Sequence, residues 1–155
     1  MTDRDLFQWE TTTAARSSRA AVLAIDPGSA KCGVALVSED GEPLYRAVSP
    51  TEALMEEVRT LIGRYRPHLL VMGRGTGSRA LLNALKDAGL GLPIESVDEG
   101  YTTEEARKRF LAENPARGWK RLLPKALRTP DRPVDDYVAL ILAERHWKSQ
   151  QASVE

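Results

Sequence analysis

Asp26 closes an apolar run, Ala21-Val22-Leu23-Ala24-Ile25. Pro27-Gly28-Ser29 then turn the chain towards a second run, Val34-Ala35-Leu36-Val37. Short apolar runs bounded by turn residues read as strands buried on both faces. A carboxylate at the end of such a strand either accepts the N–H groups of its own turn or needs a partner or a cation. Asp98-Glu99-Gly100 ends another short strand-like stretch, Ile94 to Val97, and Asp135-Asp136 open the last helical stretch. Brought to one cleft, Asp26, Glu99, Asp135 and Asp136 would repel one another and demand cations. Oxygen-only donors select hard ions, Mg²⁺ or Mn²⁺. Two such ions about 4 Å apart can activate a water and stabilise the leaving oxygen of a phosphodiester. Asp135 and Asp136 have a second reading, as acidic charges complementing a helix dipole.

A phosphodiester substrate needs cations to meet its phosphates. Within 107–128 the basic residues are Arg107, Lys108, Arg109, Arg117, Lys120, Arg121, Lys125 and Arg128, and Glu113 is the only acid. This stretch is either a nucleic-acid contact or a solvated helix face. Trp119, in its middle, is a platform for a base or the anchor of a long loop. Lys31, just past the first turn, and Arg74, in Gly73-Arg74-Gly75-Thr76-Gly77-Ser78, are further candidates for nucleic-acid contact. That glycine-rich loop lacks the Gly-Lys-Ser/Thr of a Walker loop and the spacing of a dinucleotide fingerprint. It still precedes a helix, whose N-terminus can hold a phosphate.

The elements that must position these groups are legible in outline. Strands are expected at 21–26, 32–38 and 43–48, with Asp40-Gly41 as a hairpin turn, so the chain opens as an antiparallel meander. Leu54, Met55, Val58, Leu61 and Ile62 recur at helical spacing until Pro67. A strand at 68–72, a helix through Leu81, Leu82 and Leu85, a strand at 94–97 and a helix from about 104 to 113 follow. Four prolines, at 115, 124, 130 and 133, interrupt 114–133, and a final helix runs from about 134 to 148. Strands alternating with helices imply parallel pairing with right-handed crossovers. In such sheets sites lie beyond the carboxyl ends of the strands. Asp26, the glycine loop and Asp98-Glu99 all fall there. Gly28 and Gly33 would let the backbone turn and approach that site closely.

Composition narrows the class. At 155 residues, with 42% hydrophobic and 28% charged residues, the chain reads as one soluble domain with a core. Residues 1–19 are expected to be a flexible tail, despite Phe7 and Trp9, with the domain at 20–149 and a short tail at 150–155. Net charge is zero, so bulk charge marks out neither nucleic acid nor membrane as a partner. The single Cys32 excludes an internal disulfide and a cysteine-built zinc site. His68 and His146 have no metal-ligand spacing. No run approaches a membrane span, and the start carries charge where a signal peptide would be apolar, so a cytoplasmic protein is expected.

Taken together, the motifs resemble the YqgF/RuvX family, a branch of the RNase H-like superfold related to RuvC Holliday junction resolvases. The resemblance is carried by Ile25-Asp26-Pro27-Gly28 through Gly33-Val34-Ala35-Leu36, by Val97-Asp98-Glu99-Gly100-Tyr101-Thr102-Thr103-Glu104-Glu105-Ala106, and by Val134-Asp135 through Ala139, with Ile141 and Glu144. It implies an α/β fold with a five-stranded mixed sheet of order 3-2-1-4-5, strand 2 antiparallel, flanked by helices. It also implies a metal-dependent nuclease whose acidic triad maps to Asp26, Glu99 and Asp135, with Asp136 able to substitute or assist. The substrates it implies are the 5′ end of precursor 16S ribosomal RNA and branched DNA. The chain departs from the family at Gly100, where arginine is usual, and in its compact glycine loop and long basic stretch, all where substrate would touch. A symmetric junction calls for a two-fold pair of sites, so either a monomer or a homodimer is expected. Two other classes fit parts of the sequence. One is a non-catalytic nucleic-acid-binding module on the same fold. The other is a nucleotide-binding phosphotransferase, which shares the Asp-x-Gly turn but needs a longer chain.

Overall fold

The strand predictions hold closely in a computed structural model of the chain, which describes residues 20–75, 77–97, 102–114, 122, 124 and 135–154. The meander is β1 (Ala21–Asp26), β2 (Lys31–Ser38) and β3 (Pro43–Pro50). A 3₁₀ turn (Thr51–Ala53) leads into α1 (Leu54–Tyr65), followed by β4 (Leu69–Gly73), α2 (Ser78–Asp87), β5 (Ile94–Val97), α3 (Thr102–Glu113) and α4 (Asp135–Val154). The strands form one sheet of order β3-β2-β1-β4-β5. β2 is antiparallel to both of its neighbours, and β4 is parallel to both of its own. The tail expected at 1–19 lies outside the described residues.

Alternation along β1 sends side chains to two cores. Leu23 and Ile25 face the layer of α1, where Leu54, Val58, Leu61 and Tyr65 make one apolar stripe. Val22 and Ala24 face α3 and α4, with Ala35 and Val37 of β2 and Val71 of β4. Asp26 continues this second series, and so does Gly33, its register partner on β2.

The second face carries small residues because α4 lies directly on it. Tyr137 to Ala143 are buried without a break. An unbroken buried run arises because β2, β1 and α3 all pack around this part of the helix. Phe110 of α3 meets Tyr137 edge to face, with ring centroids 5.7 Å apart. Farther along α4, the indole Nε1–H of Trp147 donates to the Val37 carbonyl at 3.1 Å. β2 and β3 shift register there, between Leu36 and Val37, and the residue opposite Val37 is Pro43, which has no N–H to offer. The helix also runs to Val154, past the end expected at Lys148, so residues 150–154 are helical where a tail was expected. Residues 150–153 are polar or small and exposed. Among the described residues no helix is long and apolar enough to cross a membrane.

Candidate functional site

The two glycines of the opening motif set the geometry at the end of β1. A Cβ on Gly28 would lie 2.3 Å from the Lys31 carbonyl oxygen, so the turn after Asp26 closes only around a bare Cα. Thr51 braces the same turn, its N–H donating to the Ala30 carbonyl at 3.1 Å. At Gly33 a Cβ would lie 1.8 Å from the Asp135 carbonyl oxygen and 2.9 Å from the Asp136 nitrogen. The first turn of α4 therefore rests on the backbone of β2. Register partners in an antiparallel pair have Cα atoms about 4.5–5.5 Å apart, and Asp26 is the partner of Gly33. Residues 26 and 135, far apart in sequence, thus meet on one face of the sheet at its carboxyl edge.

Both aspartates are partly buried, whereas Asp136 is buried. Lys31 is exposed at the start of β2, Arg74 is exposed just past β4, and Arg107 is exposed on α3. Glu99, Arg117, Trp119, Lys120, Arg121, Lys125 and Arg128 lie outside the described residues. No three His, Cys, Asp or Glu side chains gather to hold a metal ion among the described residues. Asp26 and Asp135 offer oxygen donors only, the donor type that a hard divalent cation takes.

The residues not anticipated are those that tie α4 to its surroundings. Arg46, on β3, holds Asp136 through its Nε at 3.3 Å and reaches Glu113 of α3 at 3.7 Å. Its guanidinium also lies over the Tyr137 ring, 4.2 Å from the centroid. The Tyr137 hydroxyl donates to Glu113 at 2.7 Å, and Arg109 binds Glu113 and both oxygens of Glu144. Two signals for this network were present in the sequence: an arginine inside a predicted strand and a lone acid in a basic stretch.

The network gives the fold a pH dependence. The hydrogen bond from Tyr137, with the charges of Arg109 and Arg46, holds the Glu113 carboxyl below its ordinary 4.5 despite the burial that opposes it. Burial pushes His146 below its ordinary 6.5; the Glu95 charge opposes this and that of His68 adds to it. A group whose pKa is depressed in the folded state contributes stability above its unfolded pKa, and that stability is lost as pH falls through the folded value. Urea midpoints should therefore fall as pH drops below about 6.5, first through His146 and then, below the ordinary glutamate range, through Glu113. His146→Gln should flatten the first limb and Glu113→Gln the second. Identical wild-type and His146→Gln profiles between pH 5 and 7 would contradict the assignment.

No protein-family model matches the chain, and no curated protein matches it in sequence. Solved structures do match it. The RuvC of T. thermophilus in complex with a Holliday junction substrate superposes with a TM-score of 0.57 at 18% identity, over 85% of this chain and 96% of that one. A second structure of Thermus thermophilus RuvC gives a TM-score of 0.49 at 20% identity over 83% and 96%. The yeast mitochondrial Holliday junction resolvase Ydc2 gives 0.47 at 14% over 92% and 85%. The sheet order, the strand directions and the flanking helices make this an RNase H-like fold, the fold of the T. thermophilus RuvC it superposes on.

Proposed function

We propose that the protein is a metal-dependent nuclease that hydrolyses phosphodiester bonds in structured nucleic acid, with branched DNA as the first substrate to test. One observation carries the reading: Asp26 is registered on Gly33, and the first turn of α4, bearing Asp135, rests on that same glycine. Two carboxylates from opposite ends of the chain are thereby held at the sheet edge where an open α/β fold binds its ligands. The superposable T. thermophilus RuvC, described in complex with a Holliday junction, supports the choice of substrate.

In this reading Asp26, Glu99 and Asp135 hold Mg²⁺ or Mn²⁺. When bound, the ions supply an activated water and charge for the leaving oxygen. Lys31, Arg74 and Arg107, with Arg117, Lys120, Arg121, Lys125 and Arg128, receive the phosphates on either side of the scissile bond, and Trp119 offers a face to a base. The arginine usual in the family at position 100 is replaced in this role by Arg74 or by the basic stretch.

The test is cleavage of a four-way DNA junction and of a precursor 16S ribosomal RNA 5′ end by the purified chain, with Mg²⁺, with Mn²⁺ and with chelator. Metal-dependent cuts in the junction are expected. Cleavage of the RNA alone would move the substrate to ribosomal precursor processing. Metal-independent binding to both without cleavage would make the chain a binding module.

A further inference from the structure

Asp135 and Asp136 are adjacent, yet their surroundings differ. Successive residues of a helix point about 100° apart, so the two carboxylates cannot serve one ion from the same direction. The Asp136 side chain is only 6% exposed, and Arg46 of β3 holds it. β2 separates β3 from β1, and Arg46 is registered on Ala35, two residues along from Gly33. Asp136 is thus drawn across β2, away from Asp26.

The arginine is itself well held. Its guanidinium packs on Tyr137 and touches Glu113, so three consecutive residues of α4 are pinned: Asp135 by its backbone on Gly33, Asp136 by Arg46, and Tyr137 between Arg46 and Glu113. Removing one partner of an ion pair whose other member is buried is destabilising.

We propose that Arg46 and Asp136 form a positioning strut that clamps the first turn of α4 onto β2 and so sets Asp135 beside Asp26. The strut follows from the contacts alone, but its consequence for a metal rests on the reading under Proposed function. Asp136 acts through Arg46, and neither residue is a catalytic residue.

The experiment compares Arg46→Met, Arg46→Lys, Asp136→Asn and Asp26→Asn with wild type in the full chain, by two readouts. Amide hydrogen exchange over residues 137–142 reports the first turns of α4, with β1 as internal reference. Calorimetric titration with Mn²⁺ alone reports the metal. Arg46→Met and Asp136→Asn should each speed exchange over 137–142 relative to β1 and weaken Mn²⁺ about 10- to 100-fold, the usual effect of losing a group that orients a ligand. Arg46→Lys should recover part of both, because it keeps the charge. Asp26→Asn should lose Mn²⁺ with exchange unchanged. Unchanged exchange in Arg46→Met would overturn the strut. Loss of Mn²⁺ in Asp136→Asn with full retention in Arg46→Met would also overturn it and make Asp136 a ligand. A wild type that binds no Mn²⁺ would sink the proposed metal site, while the exchange arm would still decide the strut.

Discussion

Asp26→Asn is expected to reduce Mg²⁺- or Mn²⁺-dependent cleavage at least about 100-fold, the upper end of what loss of a group one layer farther from the metal produces. The substitution keeps the side chain's volume and one acceptor oxygen but removes the negative charge that a hard cation requires. Its effect on folding should be small. Asp26 sits partly buried at the end of a strand whose preceding five residues are fully packed, and these carry the stability. The melting temperature should stay within about 4 °C of wild type, corresponding to no more than ~1 kcal/mol in a chain of this size. Activity assays with metal titration, run beside thermal melts, check both parts. An Asp26→Asn protein that cuts as fast as wild type would remove Asp26 from the chemistry.

Gly33→Ala is expected to damage both stability and activity. The added Cβ would meet a main-chain carbonyl, that of Asp135, at 1.8 Å. Backbone cannot swing aside as a side-chain tip can, so the start of α4 must lift from β2. It would lift against Arg46 on Asp136 and, farther along the helix, against Trp147 on Val37. Overpacking a well-filled site costs about 1–3 kcal/mol, and a backbone clash this close belongs at the upper end. That corresponds to a melting temperature lower by roughly 6–12 °C. Because the displaced turn carries Asp135, Mn²⁺ affinity should fall with it. Gly63→Ala is the contrasting case. Gly63 lies within α1, a Cβ there would meet nothing within 4 Å, and alanine in a helix is favoured over glycine by about 0.5–1 kcal/mol. One glycine-to-alanine change should therefore destabilise and the other stabilise. Equal melting temperatures would mean that α4 does not rest on Gly33 in solution.

The two glycines show where sequence reasoning has purchase. Gly28 and Gly33 were expected to permit a close backbone approach because they flank a carboxylate at a strand end. Which backbone approaches was not legible: for Gly28 it is a neighbour three residues on, for Gly33 a helix more than a hundred residues away. The first contact is local turn geometry. The second exists only once α4 has been laid along β2.

Asp135 and Asp136 mark the same boundary. As neighbours of identical chemistry at a helix start, they were set apart only by the family resemblance, which put Asp135 in the triad and left Asp136 to substitute or assist. The structure separates them through Arg46, which comes from the edge strand.

By itself the sequence determined the five strands, the helices between them and the edge to which Asp26 belongs. Apolar runs, turn residues and helical spacing are short-range signals, read within a few residues. Only the tertiary structure decided that Asp26 and Asp135 share one glycine, that Asp136 belongs to Arg46, and that α4 is buried on nearly every side for two turns. These outcomes depend on which strand lies next to which and on how closely a helix can approach a patch of glycine and alanine. Both are properties of pairing and packing across the whole chain.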